Sequence, residues 1–298
     1  PPWVNHFFAI IPAATGAAIL MLPSAAGWQL PYSRAEGIWL AETEQIIPVL
    51  RASLSLDFPF TILRYAAAEI NETERWDRVL FVLEPALPLH QPPLNGQWVD
   101  RIKLTDLPLA DPTQRQPLLD YLAENEAGAD APPIDARRSP WARPGWFATA
   151  AAWVEAAITA AGYTQLGPVE QRRNWSISSL LVTPTNHGRV FFKAAAALPF
   201  FVNEPALTQT LAALYPGHVP TPLKIDRERR WLLMEDFGEM VRGSGAIDYT
   251  AIFRAYGKLQ RASAQHLDAL AAAGCIDRHL IVLASQIEWL ITDPITQS

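Results

Sequence analysis

The sequence offers almost no sulfur chemistry. Among 298 residues there is one cysteine, Cys275, which excludes an internal disulfide framework and fits a reducing, cytoplasmic setting. Basic charge is also short: 24 Lys and Arg against 30 Asp and Glu leave a formal net charge of -6. No positive field exists to hold nucleic acid or an anionic membrane surface. Unbroken apolar runs of spanning length are missing too. Phe7 to Trp28 carries no charge, but Pro12, Gly16 and Pro23 interrupt it and no Lys or Arg precedes it as a signal peptide requires. That stretch reads instead as two short buried strands joined by a turn. The histidines His6, His90, His187, His218 and His279 show no metal-ligand spacing. An initial methionine is absent, and the opening Pro-Pro leads us to expect a processed or excised piece.

What is present is enough apolar material, half of all residues, for ordinary cores, and enough length for two domains. Gly and Pro punctuation cuts the N-terminal part into apolar runs at Phe7 to Ile11, Ala17 to Leu22, Phe60 to Ala68 and Arg78 to Leu83. Ala41 to Leu56 places Ile46, Ile47, Leu50 and Leu54 near helical spacing, with Pro48 in its first turn or bending it. Leu109 to Asn125 reads as a closing helix. Ala127 to Gly145 is rich in Pro and Ala without period, which marks a linker. Beyond it, Trp146 to Tyr163 is a helix stopped by Gly162, and "PTNHG" between "WSISSLLVT" and "RVFFKA" is a hairpin turn. A helix from about Pro205 to Leu214, a strand pair around "TPLKIDRERRWLLME" and helical stretches at Tyr249 to Ala273 and His279 to Leu290 follow. The whole is a two-domain α+β protein.

Two charges stand out. In "RVFFKA" the strand alternation puts Phe191 and Lys193 on one face, and Glu204 starts the next helix. A lysine inside a sheet needs an anion to offset its desolvation, and the order strand, lysine, helix, glutamate suits an ion pair that aims an ammonium at a phosphate. The alternative is a strand-end lysine reaching solvent, with Glu204 stabilising a helix N-terminus. Downstream, "WLLMEDFG" (Trp231 to Gly238) is an apolar strand ending in an acidic loop. From Trp146 to Leu290 this arrangement resembles the small lobe and hinge of the aminoglycoside phosphotransferase and choline kinase-like families. The resemblance implies that Lys193 contacts ATP phosphates, that Glu204 orients it, and that the backbone of Met234, Glu235, Asp236 and Phe237 holds adenine. The family's glycine-rich phosphate loop has no counterpart: Gln171 to Ser179 contains no glycine, leaving backbone amides and the hydroxyls of Ser176, Ser178 and Ser179 to approach a phosphate.

Two motifs do not carry chemistry. Asp236 to Gly238 spells the kinase magnesium motif, but it precedes any catalytic loop and sits at the hinge. His266 to Asp268 imitates a catalytic loop, yet the fifth position after Asp268 is Ala273, not Asn, and both residues lie in a helical pattern stopped by Gly274. No catalytic residue and no metal ligand is therefore assigned.

At the other end, Gly27 to Phe58 resembles the central segment of a Nudix hydrolase: a tryptophan and Leu-Pro at a strand end, an acidic loop, then a helix carrying Arg51. The glutamates that hold Mg²⁺ in such enzymes are absent, because Ala52, Ser53, Leu54, Ser55 and Leu56 follow Arg51. An unrelated small α+β domain is the alternative. Together the resemblances imply a degenerate Nudix-like α/β/α domain over 1–126, a linker over 127–145, and over 146–298 a kinase-like small lobe of antiparallel sheet plus helix with the first helices of a truncated large lobe. They imply a fragment of an ATP-dependent small-molecule phosphotransferase, using ATP and Mg²⁺ when intact and taking a nucleotide and a small-molecule acceptor. A non-enzymatic ligand- or protein-binding module built from both folds is the other reading.

Overall fold

Apolar alternation becomes strands in the computed structural model of the chain, which describes residues 2–125, 138–238 and 249–292. The elements run β1 (Val4–Ile10), β2 (Ala18–Ser24), β3 (Gly27–Gln29), β4 (Tyr32–Glu36), α1 (Thr43–Ser53), β5 (Phe60–Asn71), β6 (Trp76–Pro85), β7 (Gln97–Asp100), α2 (Arg101–Asp106), α3 (Arg115–Asn125) and α4 (Trp146–Ala160). They continue with β8 (Glu170–Asn174), β9 (Ser178–Thr185), β10 (Gly188–Ala195), α5 (Glu204–Leu214), β11 (Pro222–Asp226), β12 (Trp231–Glu235), α6 (Tyr249–Ser263), α7 (Leu267–Ala272) and α8 (Leu280–Thr292). The strands form sheets ordered β4-β1-β6-β5, β3-β2-β7 and β11-β12-β10-β9-β8. The chain is thus mixed α+β. No helix among the described residues is long and apolar enough to cross a membrane, and Phe7 to Trp28 forms strands.

The chain divides into two compact units, Pro1–Ala156 with Gln165–Thr183, and Ala157–Thr164 with Pro184–Ser298. Most of the expected linker, 127–137 of 127–145, lies outside the described residues.

In the first unit β1 pairs parallel with β6 and antiparallel with β4. Successive side chains of these strands point to opposite faces, so two cores form. Phe7, Ala9, Phe81 and Leu83 pack with Ile46 and Leu50 of α1 on one side. Ile10, Leu80 and Val82 pack with Leu118, Tyr121 and Leu122 of α3 on the other. Helix α1 starts at Thr43, later than its pattern suggests, and Pro48 falls in its second turn rather than its first. Helix α2 was not legible as a separate element. It is short, and its signal is Asp100, whose side chain accepts the Lys103 N–H.

In the second unit α5, β11 and β12 follow the hairpin lysine, and Gly188 takes φ 98° at the turn "PTNHG". The stretch read as one helix over Tyr249 to Ala273 is two: α6 stops at Ser263, whose Oγ donates to the Leu259 carbonyl, and Gln265 and His266 close tight turns before α7.

One buried carboxylate in the first unit has no salt bridge among the described residues, although His6 lies near enough to act on it. Asp77 is 2% exposed; its Oδ2 accepts the Trp3 indole N–H at 2.6 Å and the Asn5 amide at 2.7 Å, and its Oδ1 has no partner. Burial raises its pKa above the ordinary carboxylate range, outweighing both hydrogen bonds. A carboxyl that is easier to protonate when folded costs nothing below the ordinary range. The cost builds as pH climbs to the raised folded value and is complete above it. Asp77→Asn should therefore raise the melting midpoint of the first unit by a few degrees at pH 7 and flatten its pH dependence from the ordinary carboxylate range, about 4, upward. Calorimetric melts across that range check this; a lower midpoint in the variant means that the charge-assisted bonds outweigh the burial cost.

Candidate functional site

The second unit gathers the charged residues singled out above. Strand β10 turns Val190, Phe192 and Ala194 into the core, which leaves Phe191 and Lys193 half-buried on the opposite face. Across the ladder Phe191 faces Met234 and Lys193 faces Leu232, so the lysine stem lies against β12. Helix α5 begins at Glu204 with Pro205 next, where a carboxylate and a proline both suit a helix N-terminus. Lys193 Nζ and Glu204 Oε1 form an ion pair, with the two side chains 27% and 25% exposed. The other carboxylate oxygen, Oε2, is buried without a partner. The ammonium is thus anchored on one side and partly open to water.

The hinge acids are engaged elsewhere. Asp236 Oδ2 accepts two hydrogen bonds from the Arg189 guanidinium, at 3.0 and 2.8 Å, and its Oδ1 accepts the Gly238 N–H. Glu235 Oε1 accepts the Tyr163 hydroxyl at 2.7 Å, which raises the tyrosine's pKa. The main-chain N–H groups of Glu235 and Asp236 donate to Thr221 and Arg189 carbonyls. Met234 is half-buried, and Phe237 is exposed. Asp268 lies exposed in the first turn of α7, and His266 stacks edge-on to Tyr215. Beside the start of α5, a cleft of about 120 Å³ is lined by Val202, Asn203, Pro205, Ala206, Arg227 and the end of α7. It is far smaller than the roughly 300 Å³ or more of ligand pockets and is too small for a nucleotide.

Ser178 and Ser179 belong to the first unit. Both are buried: Ser178 Oγ accepts the Trp175 indole N–H at 2.7 Å, and Ser179 Oγ has no partner. These hydroxyls face inward, so only the turn Trp175 to Ile177 itself presents groups outward. That turn is fastened, because the Trp175 carbonyl accepts the Trp141 indole N–H and the Ser176 carbonyl accepts the Ser139 hydroxyl.

On α1, Arg51 lies over the Phe60 ring, 5.7 Å from its centroid, and Ala52 and Ser53 are exposed. The acids of this helix sit at its other end. Glu42 pairs with Arg173 and Glu44 with Arg172 at 2.8 Å. Among the described residues no group of three or more His, Cys, Asp or Glu could hold a metal ion. Sequence reasoning missed both arginines, since neither sits in a periodic pattern.

No protein-family description matches the sequence, and no curated protein is similar to it. Twenty solved chains match part of its structure. One is a protein of Sinorhizobium meliloti 1021 named as an oxidoreductase, with 10% identity over 41% of this chain and 39% of that one, at a TM-score of 0.31. The Nudix hydrolase RenU of M. smegmatis has 22% identity over 41% of this chain and 86% of its own, at 0.29. A MutT structure from Aliivibrio salmonicida and Vibrio cholerae has 13% identity over 40% and 94%, at 0.27. The structural neighbours thus include Nudix hydrolases, and this chain spans well under half of the first of these proteins.

The pairing of Glu42 and Glu44 with arginines, and the absence of acids from 52 to 56 after Arg51, predict that the protein with Mg²⁺ or Mn²⁺ releases no product above a blank from a panel of nucleoside diphosphate derivatives. Phosphate and mononucleotide assays check this. Robust metal-dependent turnover contradicts it.

Proposed function

We propose that the second unit is the nucleotide-binding lobe of an ATP-dependent small-molecule phosphotransferase. The first unit is then a Nudix-like domain that has lost its hydrolytic site. The observation that carries the reading is the Lys193–Glu204 ion pair. A lysine on a strand beside the hinge strand, held through one carboxylate oxygen and partly open to water, is the arrangement by which kinases place an ammonium on nucleotide phosphates. Adenine would lie along the backbone after Met234. The amides of Glu235 and Asp236 are already used in the sheet and that of Gly238 is taken by the Asp236 side chain, so Phe237 is the residue of this stretch left to meet it. Ser178 and Ser179 take no part, because their hydroxyls face inward. Mg²⁺ would accompany the nucleotide, and the catalytic base and metal ligands are not among the motifs of this sequence.

The fastened turn Trp175 to Ile177 favours a second reading, a binding module that uses both folds structurally, because a phosphate loop normally closes on its ligand. Calorimetric titration of ATP, with and without Mg²⁺, separates the two. The first reading predicts binding by the 298-residue protein and at least a tenfold loss in Lys193→Ala. The melting midpoint should fall by only about 2 °C, since a partly solvated pair is worth roughly 0–1 kcal/mol. Absent binding, or binding undiminished in the variant, gives the module reading its place.

A further inference from the structure

The first unit has a strand edge that its own chain fills from far along the sequence. Strand β5 ends its sheet, so one side of it carries backbone groups without a neighbouring strand. Its ladder with β6 slips between Ile62 and Arg64. Strand β8 meets this place with side chains instead of main chain. The Gln171 carboxamide accepts the Ile62 N–H at 2.9 Å and donates to the Ile62 carbonyl at 2.9 Å. A primary amide thereby copies both hydrogen bonds of a neighbouring strand. The Asn174 amide donates to the Ile62 and Leu63 carbonyls at 2.9 and 3.2 Å, and its main-chain N–H donates to the Ala41 carbonyl.

Between these two residues, Arg172 reaches Glu44 and Arg173 reaches Glu42, a carboxylate only 3% exposed. Strict alternation would send 171 and 173 one way and 172 and 174 the other. A bulge between Gln171 and Arg173 in the β8–β9 ladder breaks the alternation, so the amides address β5 while both guanidinium groups address the start of α1. The Arg173 guanidinium is also layered against Trp39 and Trp175, 5.0 and 6.0 Å from their ring centroids.

We infer that the β5 edge and the start of α1 form a strand-docking site, that β8 occupies it in cis, and that Gln171-Arg172-Arg173-Asn174 is its recognition sequence. The partner such a site takes is an extended segment with an amide side chain at each end and two guanidinium groups between. Affinity comes from edge hydrogen bonds, and specificity from two carboxylates set to meet the cations. The first unit is then complete only with residues that follow the 126–137 stretch, whether or not the second unit binds nucleotide.

The test uses the whole chain with a protease site written into 127–135. After cleavage, the two pieces of the otherwise unaltered protein should co-elute on gel filtration and stay paired in native mass spectrometry. In the Gln171→Ala, Arg173→Ala double variant they should separate, or associate at least about tenfold more weakly. Should the uncut double variant fail to fold, Gln171→Ala alone is read by hydrogen exchange, where the Ile62 amide should exchange at least about tenfold faster. Separation of the unaltered pieces, undiminished association of the double variant's pieces, or unchanged Ile62 exchange overturns the inference.

Discussion

A charge withdrawn from water must meet its opposite, and much of this molecule is organised by that requirement. In the first unit the buried Glu42 fixes where Arg173 must lie, and Glu124 holds both Arg64 and Arg138. The Arg138 guanidinium keeps the Glu124 carboxyl below the ordinary range against the opposing effect of burial. These pairs bind residues 138–156 and 165–183 into the same compact body as the N-terminal strands. In the second unit the same requirement brings Lys193 to Glu204 and Arg189 to Asp236. Asp77, which has two hydrogen bonds and no salt bridge among the described residues, is the costly exception.

The two bodies differ in where their ion pairs stand. On α1 both acids are taken up by arginines of β8, and the turn after Arg51 holds no carboxylate, so the charges there serve structure. On β10 the lysine is restrained through a single carboxylate oxygen while its ammonium stays partly in water. Openness alone does not separate the pairs, for Arg172 and Glu44 are 19% and 27% exposed and Lys193 and Glu204 27% and 25%. The proposed chemistry rests instead on the place of Lys193, on the strand paired with β12 and its acidic end.

Elements driven by local periodicity were legible in the sequence. The face of Lys193 follows from strand alternation, and the start of α5 from Glu204 and Pro205. The turn at Gly188 and the helix stop at Gly162 follow from positive φ. Strand β8 was not legible. "EQRRN" has no apolar alternation, and beyond its pairing with β9 its side-chain partners lie 109 to 131 positions away, so no window along the chain contains the reason for where it docks. The inward direction of Ser178 and Ser179 was hidden for the same cause, since it depends on where β8 docks. The break before α7 was missed because helical pattern continues through it, and a serine back-bond with two tight turns ends α6 instead.

The central claim is that Lys193 and Glu204 act as one unit on a nucleotide and contribute little to folding. A double-mutant cycle measures it most directly, with Lys193→Ala, Glu204→Ala and the pair together assayed for ATP affinity and for unfolding free energy. The account predicts that the double variant loses no more ATP affinity than Lys193→Ala alone, because Glu204 acts only through the lysine, while the coupling in stability stays below about 1 kcal/mol. Strictly additive losses of affinity, or a large coupling in stability with ATP affinity untouched, would contradict it.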